Sequence, residues 1–261
     1  KGSPLVLGVG IGEMFAGSDT TALRQVTDTF VYLEDGDFAI LSSSGYCIEN
    51  PEGQIITRSQ TRLKGGDELA DSGDFEHFML KEIYEQPDRL RETASQDFID
   101  DSVFGQKACN VFKAVNAVQI VACGTSYHAG LVARHWLEAE AQVPCQVEVA
   151  SEYRYRNAVV LPGTLIIAIS QSGETADTLA AIQALSDSNI VAKLAICNVR
   201  HSAIVRECEL VFLTSAGVEV GVASTKAFTT QLVALLMLTA CLARHRNAIN
   251  FDQDRITRAL H

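Results

Sequence analysis

Six residues, Ser170-Gln171-Ser172-Gly173-Glu174-Thr175, carry three hydroxyls, one amide and one glycine. An apolar run, Leu165–Ile169, precedes them, and a helical pattern, Ala176–Leu185, follows. A strand end, a polar turn and a helix start put hydroxyls beside free backbone N–H groups. That arrangement holds an anion, above all a phosphate. A helix cap needs one hydroxyl, and three exceed that need. Glu174 is anionic and would repel a phosphate, so its side chain must turn away from the ligand.

Two further segments have the same character. In Ala122-Cys123-Gly124-Thr125-Ser126-Tyr127-His128, Gly124 permits a sharp turn, and Thr125 and Ser126 stand at a helix start. In Glu219-Val220-Gly221-Val222-Ala223-Ser224-Thr225-Lys226-Ala227, Gly221 allows close backbone approach, and Ser224 and Thr225 open the last long helix. Each segment alone also fits an ordinary capped helix, with Lys226 a solvated side chain. Lys and Arg are nearly absent from all three. Sites for triphosphates or dinucleotides carry a P-loop lysine or a Gly-x-Gly-x-x-Gly turn. The nearest match, Gly8-Val9-Gly10-Ile11-Gly12-Glu13, lacks the third glycine. A small phosphorylated polyol fits better: hydroxyls and amides hold the phosphate, and further polar groups read the sugar. His128 and His135 follow the first segment on its helix and read as structural or solvated, since neither has a carboxylate partner in sequence.

Alternating strands and helices must position these turns. Val118–Ala122, Cys145–Val149, Leu165–Ile169, Ile190–Cys197 and Leu210–Leu213 read as strands. Ser126–Gln142, Thr175–Asp187 and Thr225–Arg244 read as helices. The pattern predicts an α/β fold with a doubly wound, parallel five-stranded sheet, whose ligands sit outside the carboxyl ends of the strands. Residues 1–72 are β-rich, with strands at Leu5–Gly10, Phe30–Leu33, Phe38–Leu41, Tyr46–Glu49 and Gln54–Thr57, and read as an antiparallel meander. Between the two lies a candidate linker, residues 73–101. It contains a helical stretch, Phe75–Ser95, with a kink or break expected at Pro87. The sheet domain is then 102–261.

Composition narrows the function. The 261 residues are 47% hydrophobic and 20% charged, which suits a globular chain with a sizeable core. The net charge of −11 argues against nucleic acid and anionic membrane partners. The longest apolar stretch, Leu232–Ala243, is shorter than the roughly 20 residues a membrane span needs, and reads as a buried helix. The seven cysteines form no C-x-x-C pair, so neither zinc nor a disulfide framework is expected. Cys123, Cys145, Cys197 and Cys241 lie in apolar segments and read as buried free thiols in a reducing cytoplasm. The chain opens on Lys1 and closes on Leu260-His261 in a helical pattern, and both ends read as those of a fragment.

Cys123–Ser126, Ser170–Leu179 and Gly221–Gln231 resemble the motifs of the sugar-isomerase (SIS) domain. In this combination the chain resembles the family of isomerising glutamine–fructose-6-phosphate aminotransferases, also called glucosamine-6-phosphate synthases. His77–Pro87 is similar to that family's segment between its glutaminase and isomerase domains, and Lys1–Asp19 to the late part of its glutaminase (Ntn-type) domain. The resemblance implies that residues 1–72 are the end of a glutaminase domain and 102–261 the first SIS domain. It implies fructose-6-phosphate as ligand. Ser126, Ser170, Gln171, Ser172 and Thr175 match phosphate-binding positions, and Thr125, Val222 and Ser224 match positions near the sugar. It also implies a homodimer, without metal or cofactor.

The family's catalytic groups are not expected here. Its glutamine hydrolysis uses an N-terminal cysteine, whereas residue 1 is Lys and the first cysteine, Cys47, lies in an expected strand. Its isomerisation uses a carboxylate base, a histidine and a Schiff-base lysine from a second SIS domain. The chain is therefore expected to hold the sugar phosphate and to catalyse nothing alone. The rival reading is a non-catalytic SIS module that senses a sugar phosphate and regulates a partner. The acidic, β-rich N-terminal region argues against the DNA-binding form of such a regulator.

Overall fold

The computed structural model describes residues 5–18, 20, 23, 26–62, 73–94, 100–185, 189–248, 252, 254, 255 and 258. The chain divides into two units, residues 1–67 and 68–261.

The first unit is entirely antiparallel. Strands β1 (Val6–Val9), β2 (Met14–Gly17), β3 (Thr29–Tyr32) and β7 (Gln60–Arg62) form one sheet in the order β2-β1-β3-β7. Strands β4 (Phe38–Ser42), β5 (Gly45–Glu49) and β6 (Ile55–Ile56) form a meander. Leu7, Val31 and Ile48 are buried together between the two sheets. The serine turn Ser42–Gly45 closes the β4–β5 hairpin, where Ser42 pairs with Gly45. Arg58 clasps Asp37 through two bonds of 2.9 Å. The sequence predicts β1, β3, β4, β5 and β6. It misses β2 and β7, and with them the second sheet.

The second unit contains the parallel sheet. Its strands are β8 (Ala117–Ala122), β9 (Cys145–Val149), β10 (Thr164–Ser170), β11 (Ile190–Cys197) and β12 (Leu210–Leu213), in the order β12-β11-β10-β8-β9. Every residue of β8 and β10 is buried, as strands covered on both faces must be. Val118, Ile120 and Ala122 point to one face and Val121 to the other. The first face is covered by α2 (Ala108–Ala114), α3 (Gly124–Ala139) and α7 (Lys226–Arg246). The second is covered by α4 (Ala150–Tyr153), α5 (Ala176–Gln183) and α6 (Ala203–Arg206). The sheet is thus doubly wound, as predicted. The chain enters at β8, steps outward to β9 and then returns past β8 to β10. That reversal puts the topological switch point between β8 and β10.

Two expectations need correction. Helix α1 (Phe78–Thr93) runs through Pro87 without a break. Proline removes the N–H that would bond the Ile83 carbonyl, and the Gln86 side chain donates to that carbonyl instead, at 3.2 Å. Nor is α1 a free linker: it packs along α7 inside the second unit. A 3-10 helix, Asp101–Phe104, and the short helices α2, α4 and α6 were not predicted.

Helix α7 is long and apolar enough to cross a membrane by length and composition, yet thirteen of its 21 residues are buried in this core. Its C-terminal end is fastened by Asp101, which accepts from Arg244 at 2.7 Å and pairs with His245 at 2.6 Å. Burial pushes the Asp101 carboxyl up, but the bonds from His245 and Arg244 outweigh it and hold the group below its ordinary value. All seven cysteines are free. Cys145, Cys197 and Cys241 are buried as expected, while Cys123 is only half-buried. Burial pushes the Cys145 thiol up to about 12, so it is inert at neutral pH.

Candidate functional site

The first two polar turns meet at the switch point. Ala122, the last residue of β8, is paired with Ile169 of β10. Cys123–Ser126 and Ser170–Thr175 therefore leave neighbouring strands about 4.8 Å apart, at their carboxyl ends. Gly124 turns the chain with φ at 57°. Thr125 is exposed at the start of α3, and Ser126 is buried beneath it.

Hydrogen bonds build the second turn from within. The Gly173 N–H donates to Ser170 Oγ at 3.0 Å, and Ser170 Oγ lies 2.8 Å from Thr175 Oγ1. The Glu174 N–H donates to Ser172 Oγ at 3.1 Å. Part of the hydroxyl excess seen in the sequence therefore shapes the turn. Ser170 is buried, while Gln171, Ser172 and Thr175 are half-buried. Among the described residues no side chain caps the start of α5, so its first N–H groups can face an anion. The Glu174 carboxylate is engaged elsewhere: it accepts from the Ala203 N–H at 2.9 Å, at the start of α6. The repulsion foreseen from its charge is avoided in that way.

The third turn is built differently. Glu219 Oε1 accepts from the N–H groups of Thr225 at 2.9 Å and Ala227 at 3.0 Å, and its Oε2 accepts from Ser224 Oγ at 3.1 Å. A carboxylate thus already fills the N-terminus of α7. Of the three helices that follow the polar turns, α3 and α5 have no side-chain cap at their starts among the described residues and can face an anion there, whereas Glu219 already occupies the start of α7. Val222 at the tip of this turn is fully exposed. Lys226 is not solvated, as the sequence suggested. It is 1% exposed, and its Nζ lies 2.5 Å from Glu85 Oε2 on α1. The turn lies on the same rim as the other two, because the opposite end of α7 reaches the amino end of β8, where Arg246 donates to the Asn116 carbonyl at 3.5 Å.

Asn198, which the sequence reading passed over, links the turns. It follows β11, and its N–H donates to the Gln171 carbonyl at 3.2 Å. Its Oδ1 accepts from the Ala216 N–H at 3.1 Å, and its Nδ2 donates to the Gly217 carbonyl at 2.8 Å. A polar residue directly after a buried strand was the available signal. Ser126, Ser170, Gln171, Ser172 and Thr175 gather at the switch point. Among the described residues no hydrogen bond joins Val222 or Ser224 to the second turn; Asn198 ties that turn to the 216–217 segment that precedes theirs in the chain. His128 and His135 are exposed, in keeping with the solvated reading. A cleft of about 360 Å³ beside β12 includes none of the eight candidate residues.

A profile of the SIS domain matches residues 112–241, which include all eight candidate positions. The glutamine–fructose-6-phosphate aminotransferase [isomerizing] of Pseudomonas syringae pv. tomato is 55% identical over 253 residues, covering 95% of this chain and 41% of its own length. The enzyme of the same name from Idiomarina loihiensis is 50% identical over 264 residues, covering 100% of this chain and 43% of its own. The chain belongs to the isomerising glutamine–fructose-6-phosphate aminotransferase family. It spans about two-fifths of the length of these curated relatives. The C-terminal domain of glucosamine-fructose-6-phosphate aminotransferase from Francisella tularensis superposes with a TM-score of 0.68 at 47% identity, over 73% of this chain and 54% of that one. Tagatose-6-phosphate ketose/aldose isomerase from Escherichia coli shares the fold at a TM-score of 0.52 and 17% identity, over 65% of this chain and 48% of its own. Within the aminotransferase family, the five-stranded sheet and its three rim turns are the SIS part of the chain.

Proposed function

We propose that this chain forms the sugar-phosphate-binding half of the isomerase site in an enzyme that converts fructose-6-phosphate and glutamine to glucosamine-6-phosphate and glutamate. The observation that carries the reading is the contrast between two helix starts: α5 is lined by neutral hydroxyls and uncapped, whereas Glu219 fills α7. A phosphate then sits at α5, held by backbone N–H groups with Ser126, Gln171, Ser172 and Thr175. Ser170 contributes by shaping the turn. The sugar extends toward Thr125, Val222 and Ser224, whose turn is anionic at its base and suits neutral hydroxyls. In this reading no residue of the chain is catalytic, and neither metal nor cofactor takes part. The first unit is the late part of a glutaminase domain. The protein works in the cytoplasm, where its free thiols stay reduced, as a homodimer. Its charge of −11 leaves nucleic acid and anionic membranes out of its partners.

Calorimetric titration with fructose-6-phosphate tests this reading. Saturable binding is expected, and Ser172→Ala should weaken it roughly tenfold to a hundredfold, the cost of one lost hydrogen bond to a charged group. Ser170→Ala should weaken it further, because the buried Gly173 N–H loses its acceptor. No heat at millimolar ligand, or unchanged affinity in both variants, would contradict the proposal.

A further inference from the structure

We infer that Glu82, on the helix that the sequence reads as a linker, is a positioning residue for the sugar end of this site. Glu82 is 3% exposed and lies on α1, far in sequence from the candidate residues. Its Oε1 accepts from the N–H groups of Val220 at 2.6 Å and Gly221 at 2.9 Å, and its Oε2 accepts from Thr225 Oγ1 at 3.4 Å. These donors bracket the tip that presents Val222 and Ser224. A side chain at position 221 would put its Cβ 2.6 Å from Glu82 Oε2, so this approach depends on glycine.

The tip has little else to hold it. Val222 is fully exposed, and Ala223 is exposed too. Glu219 fixes the following residues, Ser224 to Ala227, but among the described residues the N–H groups of the preceding pair, Val220 and Gly221, bond to Glu82. Backbone N–H groups that lose an acceptor seek another, and because Val220 is exposed and Gly221 half-buried the alternative here is water outside the turn. One turn further along α1, Glu85 pairs with Lys226, so α1 grips the turn on both sides of its tip. A carboxylate buried beneath two amides is also an internal substitute for the anion that such amides otherwise bind. It keeps the phosphate at α5 and leaves this turn to neutral hydroxyls.

The inference rests on the sugar-phosphate reading and predicts that Glu82 acts on sugar recognition and not on phosphate recognition. The test titrates the 261-residue chain with inorganic phosphate and with fructose-6-phosphate. The unaltered chain should bind fructose-6-phosphate more tightly than phosphate. Glu82→Ala should lower fructose-6-phosphate affinity about tenfold and leave phosphate affinity within about twofold. Glu82→Gln keeps an acceptor oxygen and should recover most of the loss. If the alanine variant does not fold, the glutamine variant decides: a drop of about threefold for fructose-6-phosphate alone supports the inference. Retained fructose-6-phosphate affinity, or a parallel loss of both ligands, overturns it. If the unaltered chain binds neither ligand, the sugar-phosphate reading itself fails and the inference with it. Binding of both ligands with equal affinity would overturn the role of the third turn alone.

Discussion

Gly173→Ala should abolish sugar-phosphate binding and cost about 2–4 kcal/mol of stability, the sum of an overpacking term and left-handed backbone strain. Gly173 sits at φ 68° in the middle of the phosphate turn. A Cβ there would lie 2.0 Å from Ser202 Oγ, 2.4 Å from Ser202 Cβ and 2.6 Å from Cys197 Sγ. Ser202 and Cys197 are both buried, and a Cβ cannot rotate away, so the turn itself must move. Movement breaks the Gly173–Ser170 bond and the Ile204–Gly173 backbone bond, and it carries Ser172 and Thr175 away from the start of α5. Gly124→Ala is the control. Its φ of 57° carries the same backbone strain, but nothing lies within 4 Å of the added Cβ. That variant should lose only about 1 kcal/mol and keep most of its binding. Chemical denaturation and ligand titration of the two variants side by side separate the clash from the strain.

The buried ion pair between Lys226 and Glu85 should respond unequally to loss of its two members. The Lys226 side chain is 2% exposed and the Glu85 side chain 20%. Among the described residues Lys226 forms its ion pair with Glu85 alone, whereas Glu85 also faces Lys81 at 3.6 Å. Glu85→Ala therefore strands a buried ammonium and should cost about 3–5 kcal/mol. Lys226→Met replaces the charge with an apolar chain of similar length and should cost under about 1.5 kcal/mol, since Glu85 keeps Lys81 and some water.

The pH dependence has a matching sign. Burial pushes the Glu85 carboxyl up, but the bond from Lys226, with Lys81 and Arg89 beyond it, holds the group below its ordinary value. A depressed carboxyl stabilises the fold at neutral pH, and that contribution is lost as pH falls through its folded value. Lys226→Met should flatten this acid-side loss. Urea unfolding at pH 7 and pH 4 would show equal costs for the two variants if the pair were merely superficial.

The five strands of the second unit were legible because buried parallel strands are short, nearly unbroken apolar runs. Cys145–Val149, Ile190–Cys197 and Leu210–Leu213 fall where the sequence put them. The turns were legible because hydroxyls and glycine cluster at strand ends. What holds them was not. Glu82 and Val220 are 138 residues apart, and Lys226 and Glu85 are 141 apart, so neither partnership leaves a local pattern. Pro87 misled for a related reason: the rule that proline breaks helices assumes that the orphaned carbonyl finds no other donor, and Gln86 supplies one. The linking role of Asn198 left no local signal because its partners, Gln171 and the 214–217 segment, both lie elsewhere in the chain. In the first unit, β2 contains no β-branched residue and β7 no apolar one, so neither carries a strand signal.

The central claim is a division of labour, in which α5 takes the phosphate and the turn before α7 takes the sugar. Backbone amide shifts in an NMR titration test it most directly. With inorganic phosphate, the amides of 172–176 and 124–127 should shift, and those of Thr225 and Ala227, already bonded to Glu219, should not. With fructose-6-phosphate, the same amides should shift, and Val222 to Ser224 should join them. Shifts at Thr225 and Ala227 with phosphate alone, or none at 172–176 with either ligand, would contradict the account.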